Sequence, residues 1–350
     1  MSTAKAIGIV AMVALALAVL SLTAQVLLLV FAGVLLAILL RSIATAIDSL
    51  LGMGPGWCLA LALTGIVMLV ALGSWLLLPD IVTQGQQLVD QLPRGWDELR
   101  QRLSGIFGNA GMIDYAFDRV ASPSRGAMQD IVGGVFGVVS GTLGFLGSGL
   151  VILFTGIYLA ADPNTYRGGL IRLVPPAHRD RARRIVDEID RVLLWWLIGK
   201  LIGMALIGVL TYLGLWALGM PLALSLALIA ALLTFVPNFG PIIAAAPAVL
   251  IALGDGLNQA ALVVLLYVSV QAVESYLITP LIQQRTISMP PALTLTMQLV
   301  AAVLLGIMGL ALATPLTAAG IVLVRELYVK GLLERDGAAD DGRRLNPRAG

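Results

Sequence analysis

Pro237-Asn238-Phe239-Gly240-Pro241 interrupts an apolar run that continues for about fifteen residues on either side. Two prolines and a glycine within five residues break a helix, because proline lacks the N–H and clashes with the preceding turn. In hydrocarbon the backbone groups freed by such a break must find partners inside the protein or in a wet cavity, so a break of this kind usually lines a pathway.

The rest of the chain makes hydrocarbon its expected surroundings. Of 350 residues, 59% are hydrophobic and only 12% charged, and the apolar residues come in long blocks. That composition predicts an all-α polytopic membrane protein. A net charge of +2 with no basic stripe argues against a nucleic-acid partner. The single cysteine, Cys58, reads as a small packed hydrophobe, and the single histidine, His178, lies in a polar loop, so neither a metal site nor a cofactor is expected. No nucleophile and base pair or cofactor motif points to an enzyme, and no catalytic residue is assigned.

Lys5 followed by Ala6 to Leu22 imitates a secretory signal. Leu22 is large where a small residue is wanted, however, and a second apolar stretch follows, so the segment reads as an anchor. Ala6 to Leu22 and Ala24 to Leu40 are each near the minimum length for a crossing and are expected to form a hairpin, with Lys5 and Arg41 holding both ends on the cytoplasmic side. Trp57 to Leu78 is a third span leading outward. Residues 1–79 are thus assigned to N-terminal transmembrane helices.

Residues 80–130 carry five Arg against seven acids and are expected to form an extracytoplasmic amphipathic segment, in which Leu92, Trp96, Leu99, Leu103 and Ile106 recur near helical spacing. Residues 131–161 form a fourth span in which Gly133, Gly137 and Gly141 stand four apart, with Gly144 next, a spacing that suits close helix packing. Residues 162–192 carry seven Arg against five acids and form a cytoplasmic charged helical segment, with Arg183–Asp187, Arg184–Glu188 and Asp187–Arg191 expected to pair one turn apart. Trp195 and Trp196 follow at the lipid interface. Residues 193–330 hold a core with two helical hairpins, and 331–350 a disordered cytoplasmic tail.

Sliding the chain by 69 residues lays Pro221 to Leu226 over Pro290 to Leu295, Gly240 over Gly309 and Ala244 over Ala313. Each half of this repeat is a full span followed by an interrupted hydrophobic segment. The first is Leu193 to Ala217, then Leu222 to Leu253 broken at Pro237 to Pro241; the second is Leu257 to Ile278, then Ala292 to Val324 broken near Gly306 and Gly309. Parity makes the two halves oppositely oriented, an inverted repeat of transmembrane helix plus re-entrant hairpin. Secondary transporters use such repeats to build one site reachable from either side. Arms of about fifteen residues reach only about 22 Å, short of a roughly 30 Å core, which fits re-entrant arms, while two tight crossings would keep the same parity.

Charges within spans are costly, so Lys200 and Glu274 stand out. Counting the rise per residue puts both about 10 Å deep at a similar level, able to pair. Glu274 then reads either as half of a structural ion pair or as a proton carrier modulated by Lys200. Gln271 shares its helical face, Thr279-Pro280 ends that helix, and Asn238, Thr314 and Pro315 add polar or breaking groups at the two hairpins. Gln298 reads as glue between helices. Pro237, Asn238, Phe239, Gly240, Pro241, Gln271, Gly306, Gly309, Thr314 and Pro315 are the candidate solute-binding or gating residues, with Glu274 and Lys200 the candidate coupling or ion-pair groups.

Leu173 to Arg179, Gly214 to Gly219, Phe235 to Pro241, Glu274 with Thr279-Pro280, and Leu312 to Leu316 together resemble the autoinducer-2 exporter family of permeases. The resemblance covers nearly the whole chain, more weakly before residue 150. It implies a multi-pass protein of the bacterial inner membrane with both termini cytoplasmic, a homo-oligomer, pentameric in the family, with two helical hairpins near the substrate path and an elevator-like movement of each protomer. It also implies export of a small polar solute such as the furanosyl signal autoinducer-2, with proton or sodium as candidate coupling ions and membrane lipid as the surrounding partner. Sodium/proton antiport and a non-transporting membrane scaffold are the rival readings. Lys200 departs from the family pattern, where an uncharged polar residue such as Gln is expected, and this puts a cation-coupling role for Glu274 in question.

Overall fold

The computed structural model describes residues 3–107, 143–278, 280 and 289–327. It is helical throughout, with no strand among the described residues. The helices are α1 (Thr3–Leu51), α2 (Pro55–Phe107), α3 (Leu143–Ala161), α4 (Pro163–Arg172), α5 (Arg179–Ala217), α6 (Ala223–Leu233), α7 (Phe239–Asp255), α8 (Leu257–Val273) and α9 (Pro291–Val324). A 3-10 turn at Pro176–His178 precedes α5, and a π-helical turn at Glu274–Ile278 extends α8. Among the described residues five stretches are long and apolar enough to cross a membrane: Thr23–Leu51, Pro55–Gly73, Pro176–Ala217, Leu257–Tyr276 and Pro291–Leu327.

The N-terminal hairpin expected from the sequence does not form. Residues 3–51 make one unbroken helix of 49 residues, about 74 Å long. The reason is local: no Gly, Pro or Asn stands between Leu22 and Ala24, so nothing pays the cost of reversing the chain. Lys5 and Arg41 therefore bracket one helix rather than a pair. Beyond residue 73, α2 also runs on without a break to Phe107, so the segment after Asp80 continues the third span rather than forming a separate helix. Of its expected apolar stripe, Leu99 packs against a hydrophobic core, while the side chains of Leu92, Trp96, Leu103 and Ile106 lie outside the described residues. Residues 108–142, with Gly133, Gly137 and Gly141, and the tail 331–350 also fall outside them.

The chain divides into two compact units. One comprises Met1–Ala62, Val151–Leu197 and Gln283–Gly350. Its α1 and α3 approach at glycines: a Cβ on Gly33 would lie 2.7 Å from Thr155 Cβ, and one on Gly156 would lie 2.8 Å from Leu36 Cδ2. Small residues permit that approach where lipid gives no hydrophobic drive. At the α1–α2 turn Asp48 accepts the Gly54 N–H at 2.9 Å, and Ala44, Cys58 and Ala62 are buried together, as expected for Cys58. Val192 of α5 packs with Ala318 and Val322 of α9.

The second unit comprises Leu63–Leu150 and Ile198–Ile282. Its core joins the later part of α5 to α6, α7 and α8, with Leu215, Leu226, Ile229, Ala244, Ala248, Ala252 and Val263 fully buried. Gly208 of α5 faces Ala231 of α6, and Gly214 faces Leu266 of α8. Gly219 (φ +68) turns the chain out of α5, and Gln259 of α8 donates to the Leu218 carbonyl at 2.7 Å, tying down that turn.

Candidate functional site

Three groups of residues singled out by the sequence take definite form. The first is the tip between α6 and α7. Helix α6 has 11 residues and α7 has 17, about 16 Å and 26 Å, so each arm is shorter than a roughly 30 Å core. The end of α6 is closed by the N–H groups of Thr234, Phe235 and Val236, which donate to Ala230, Leu232 and Leu233. The Thr234 hydroxyl also turns back to Ala230 O at 2.6 Å, which satisfies it within the buried helix. Phe239 N–H then donates to Pro237 O at 2.8 Å across Asn238, whose backbone sits at φ 68, ψ −49. That is a γ-turn of the rare positive-φ kind, strained for a residue with a side chain. Asn238 is the exposed residue of the tip, while Gly240 is buried.

Gly240 explains why the reversal is so tight. A Cβ there would lie 1.8 Å from Leu233 O and 2.5 Å from Leu233 C, both backbone atoms of the opposite arm. Pro241 then occupies an early position of α7, where its missing N–H costs no helical bond. At the other end of α6 the N-cap residue is Leu222 at φ 59, which offers no side-chain cap. Gln84 of α2 supplies the acceptor instead, taking the Ser225 N–H at 3.3 Å. Sequence reading missed this role, because an acceptor from 141 residues away leaves no local signature.

The second group lies within α9. Gly306 at φ 66, ψ −153 interrupts the helix in a region that glycine alone adopts readily. The chain folds back there. Gln298 Nε2 lies 3.4 Å from Thr314 Oγ1, although sixteen residues of straight helix would hold them about 24 Å apart. A Cβ on Gly309 would lie 2.4 Å from Ala301 O, again backbone of the opposite arm. Gly240 and Gly309, superposed by the 69-residue shift, thus do the same job in their own hairpins. Thr314 and Pro315 are buried. The Thr314 hydroxyl is turned toward Gln298, where it joins the two arms, so the glue role read for Gln298 extends to Thr314.

The third group is polar. Gln271 Nε2 donates to Glu274 Oε2 at 2.9 Å and reaches Ser275 Oγ at 3.4 Å. Lys200 lies on α5 and Glu274 at the end of α8, both within the second unit. Glu274 opens the π-helical turn, an irregularity that often marks functional positions because it displaces side chains from the regular helical register. Pro280 is described and exposed, whereas Thr279 lies outside the described residues. Among the described residues no three His, Cys, Asp or Glu side chains gather as a metal site.

In the charged segment the expected pairing is rearranged. Asp187 is taken by Arg167 of α4 at 3.2 Å, and Asp190 is bound by the same guanidinium. Glu188 pairs with Arg191, three residues on. The pairs expected for Arg183 and Arg184 are thereby pre-empted, because reading one helix at one-turn spacing cannot see an arginine from another.

Comparison with known proteins places the chain in a family. The AI-2E family transporter profile matches residues 8–328. Three relatives bear the description "Putative transport protein". YrrI of Bacillus subtilis (strain 168) is 30% identical over 53% of this chain and 54% of its own length. YueF of the same organism is 26% identical over 53% and 49%. YhhT of Escherichia coli (strain K12) is 24% identical over 74% and 73%. The chain thus spans about half the length of the two Bacillus subtilis relatives it matches. With its membrane-length helices and its family match over residues 8–328, the chain is a multi-pass membrane protein that belongs to the AI-2E transporter family.

Proposed function

We propose that this protein is a secondary transporter that exports a small polar metabolite or signal of the autoinducer-2 kind, with the two hairpins as gates on the solute path. The observation that carries this reading is the pair of short, tightly closed hairpins, each pinned by a glycine against the opposite arm. Broken helices inside an apolar bundle leave polar backbone where a solute can meet it. The exposed, strained Asn238 presents an amide at one tip and Gly306 bare backbone at the other.

Glu274 is the coupling group in this reading. Its carboxylate accepts from Gln271, and protonation would remove the negative charge, weakening that bond and any attraction to Lys200 of α5. Proton binding and solute binding then bias the same conformational equilibrium. Each protomer works by an elevator-like step, in a homo-oligomer of the bacterial inner membrane with cytoplasmic termini. Residues 193–330 act as the transport core.

Sodium/proton antiport is the second reading, favoured by the oxygens of Glu274, Gln271 and Ser275 lying within one helical turn. Lys200 weighs against it, since a fixed cation beside the acid repels a bound one. Purified protein in proteoliposomes under an imposed pH gradient separates these readings. Export predicts movement of a labelled furanone that is lost in Asn238→Ala, and a pH profile that flattens in Glu274→Gln. Sodium flux without furanone flux would establish the antiporter instead, and neither flux would leave the scaffold reading.

A further inference from the structure

Where α5 begins and α9 ends, a groove of about 1020 Å³ opens, lined by Arg181, Arg184, Arg191 and Arg325 together with Asp180, Asp187, Glu188 and Glu326. Four cations face four anions, so formal charge alone predicts nothing. The disposition of the pairs decides the matter. Arg191 is 63% exposed while its partner Glu188 is 24% exposed, and Arg325 is 50% exposed while Glu326, at 3.9 Å, is 19% exposed. In both pairs the carboxylate is tucked away and the guanidinium stands out.

The one acid shown well exposed in these pairs, Asp187 at 69%, is already held by Arg167 from α4. Arg181 spends a donor on the Glu326 backbone carbonyl, which satisfies a hydrogen bond without cancelling charge. Arg184 makes no ion pair among the described residues. Asp180, at the start of α5, is the remaining opposing charge. The face the groove offers to a ligand is therefore cationic, with guanidinium groups converging from two elements.

Its level is fixed by the apolar residues next to it. Arg325 directly follows Val324, the last residue of α9, and Arg191 stands one residue before the buried Val192 and Leu193 of α5. Arg184 lies one further stretch outward, about 14 Å from Leu193 along the helix. Guanidinium groups at that depth meet the headgroups of a bilayer, where each basic side chain near anionic lipid adds to binding. Arginine also matches phosphate oxygens with paired donors.

From this we infer that the groove between the start of α5 and the end of α9 is a binding site for the phosphate of an anionic phospholipid headgroup, held by Arg184 and Arg325 with Arg181 and Arg191 alongside. Such a lipid would bridge α5 to α9 within one unit and brace the cluster of Val192, Ala318 and Val322 just beneath it.

The test uses the full chain in nanodiscs of phosphatidylcholine, alone or with phosphatidylglycerol, and in detergent with inorganic phosphate. Thermal unfolding and lipid retention by native mass spectrometry are the readouts. Phosphatidylglycerol should raise the melting temperature and be retained, and Arg184→Gln/Arg325→Gln should weaken retention about tenfold, the scale of one or two charge-assisted bonds. Arg172→Gln/Arg183→Gln, equal in charge but outside the groove lining, should leave retention unchanged. Arg184→Lys/Arg325→Lys keeps the charge and should recover part of the loss, which separates ligand loss from misfolding. Equal loss in both Gln pairs would reduce the effect to diffuse surface charge and overturn the site. Protection by inorganic phosphate that matches the lipid and vanishes in Arg184→Gln/Arg325→Gln would overturn the lipid as occupant while keeping the phosphate chemistry.

Discussion

Replacing Gly240 by alanine should open the first hairpin. The added methyl would sit 1.8 Å from Leu233 O, about 1.6 Å short of ordinary contact, and 3.0 Å from Thr234 N. These are backbone atoms at the closed end of α6, so no side chain can rotate to make room. The arms must separate or the Thr234 to Val236 turn bonds must stretch, and either costs about 3 kcal/mol on the scale of an overpacked core. Gly254→Ala in the same arm is the control. Nothing lies within 4 Å of a Cβ there, so alanine should stabilise α7 by about 0.5–1 kcal/mol through backbone entropy alone. Thermal unfolding in detergent, read against both variants, should thus show shifts of opposite sign. If Gly240→Ala melts at or above the parent temperature, the close approach of the arms is not what closes this hairpin, and the same argument for Gly309 fails with it.

Gln84→Ala should raise amide exchange at Ser225 and cost about 1 kcal/mol as a lost helix cap, and Gln84→Glu should restore protection because it keeps the acceptor near the positive end of α6. A double-mutant cycle with Gln298→Leu and Thr314→Val should give a coupling of about 0.6 kcal/mol between the arms of α9, and zero coupling would mean that the 3.4 Å approach carries no energy. At the N-cap of α4 the Thr165 hydroxyl and backbone N–H both donate to Asp162 and hold its carboxyl below the ordinary aspartate range. A depressed folded value means the contribution is present above about pH 4 and is lost as pH falls through the lower folded value. Thr165→Val should therefore lower the melting temperature at neutral pH, with the two curves converging in acid, and a constant gap would refute the assignment.

Much of the membrane core was legible because its signals are local. Pro237 and Pro241 around Asn238 cannot continue a helix, and the length of the flanking runs fixed short arms. Gly306 was harder to read, since a lone glycine in an apolar run is also compatible with a packing contact; the 69-residue shift that lays Pro237 to Gly240 over Gly306 to Gly309 identified it. Lys200 and Glu274 stood out because charges are rare in apolar runs, whereas the π-helical turn that Glu274 opens left no sequence signal. The N-terminal pair of spans failed for the converse reason. Apolar run length was read as two crossings where no residue could reverse the chain. Long-range partners were invisible in principle: Gln84 capping α6, and Arg167 drawing Asp187 away from the turn-spaced partners expected on α5. The γ-turn at Asn238 left one trace, an asparagine at a position that needs positive φ.

Gly219 at φ +68 and Gly256 at φ +124 stand at the two ends of the first hairpin, whose tip is locked by the contact at Gly240. The piece between 219 and 256 is therefore a stiff lever, with a glycine turn as the pivot at each foot. Such a lever transmits force without bending. Alanine at either pivot should slow turnover while leaving solute affinity at the tip unchanged, a separation that steady-state transport kinetics can read directly.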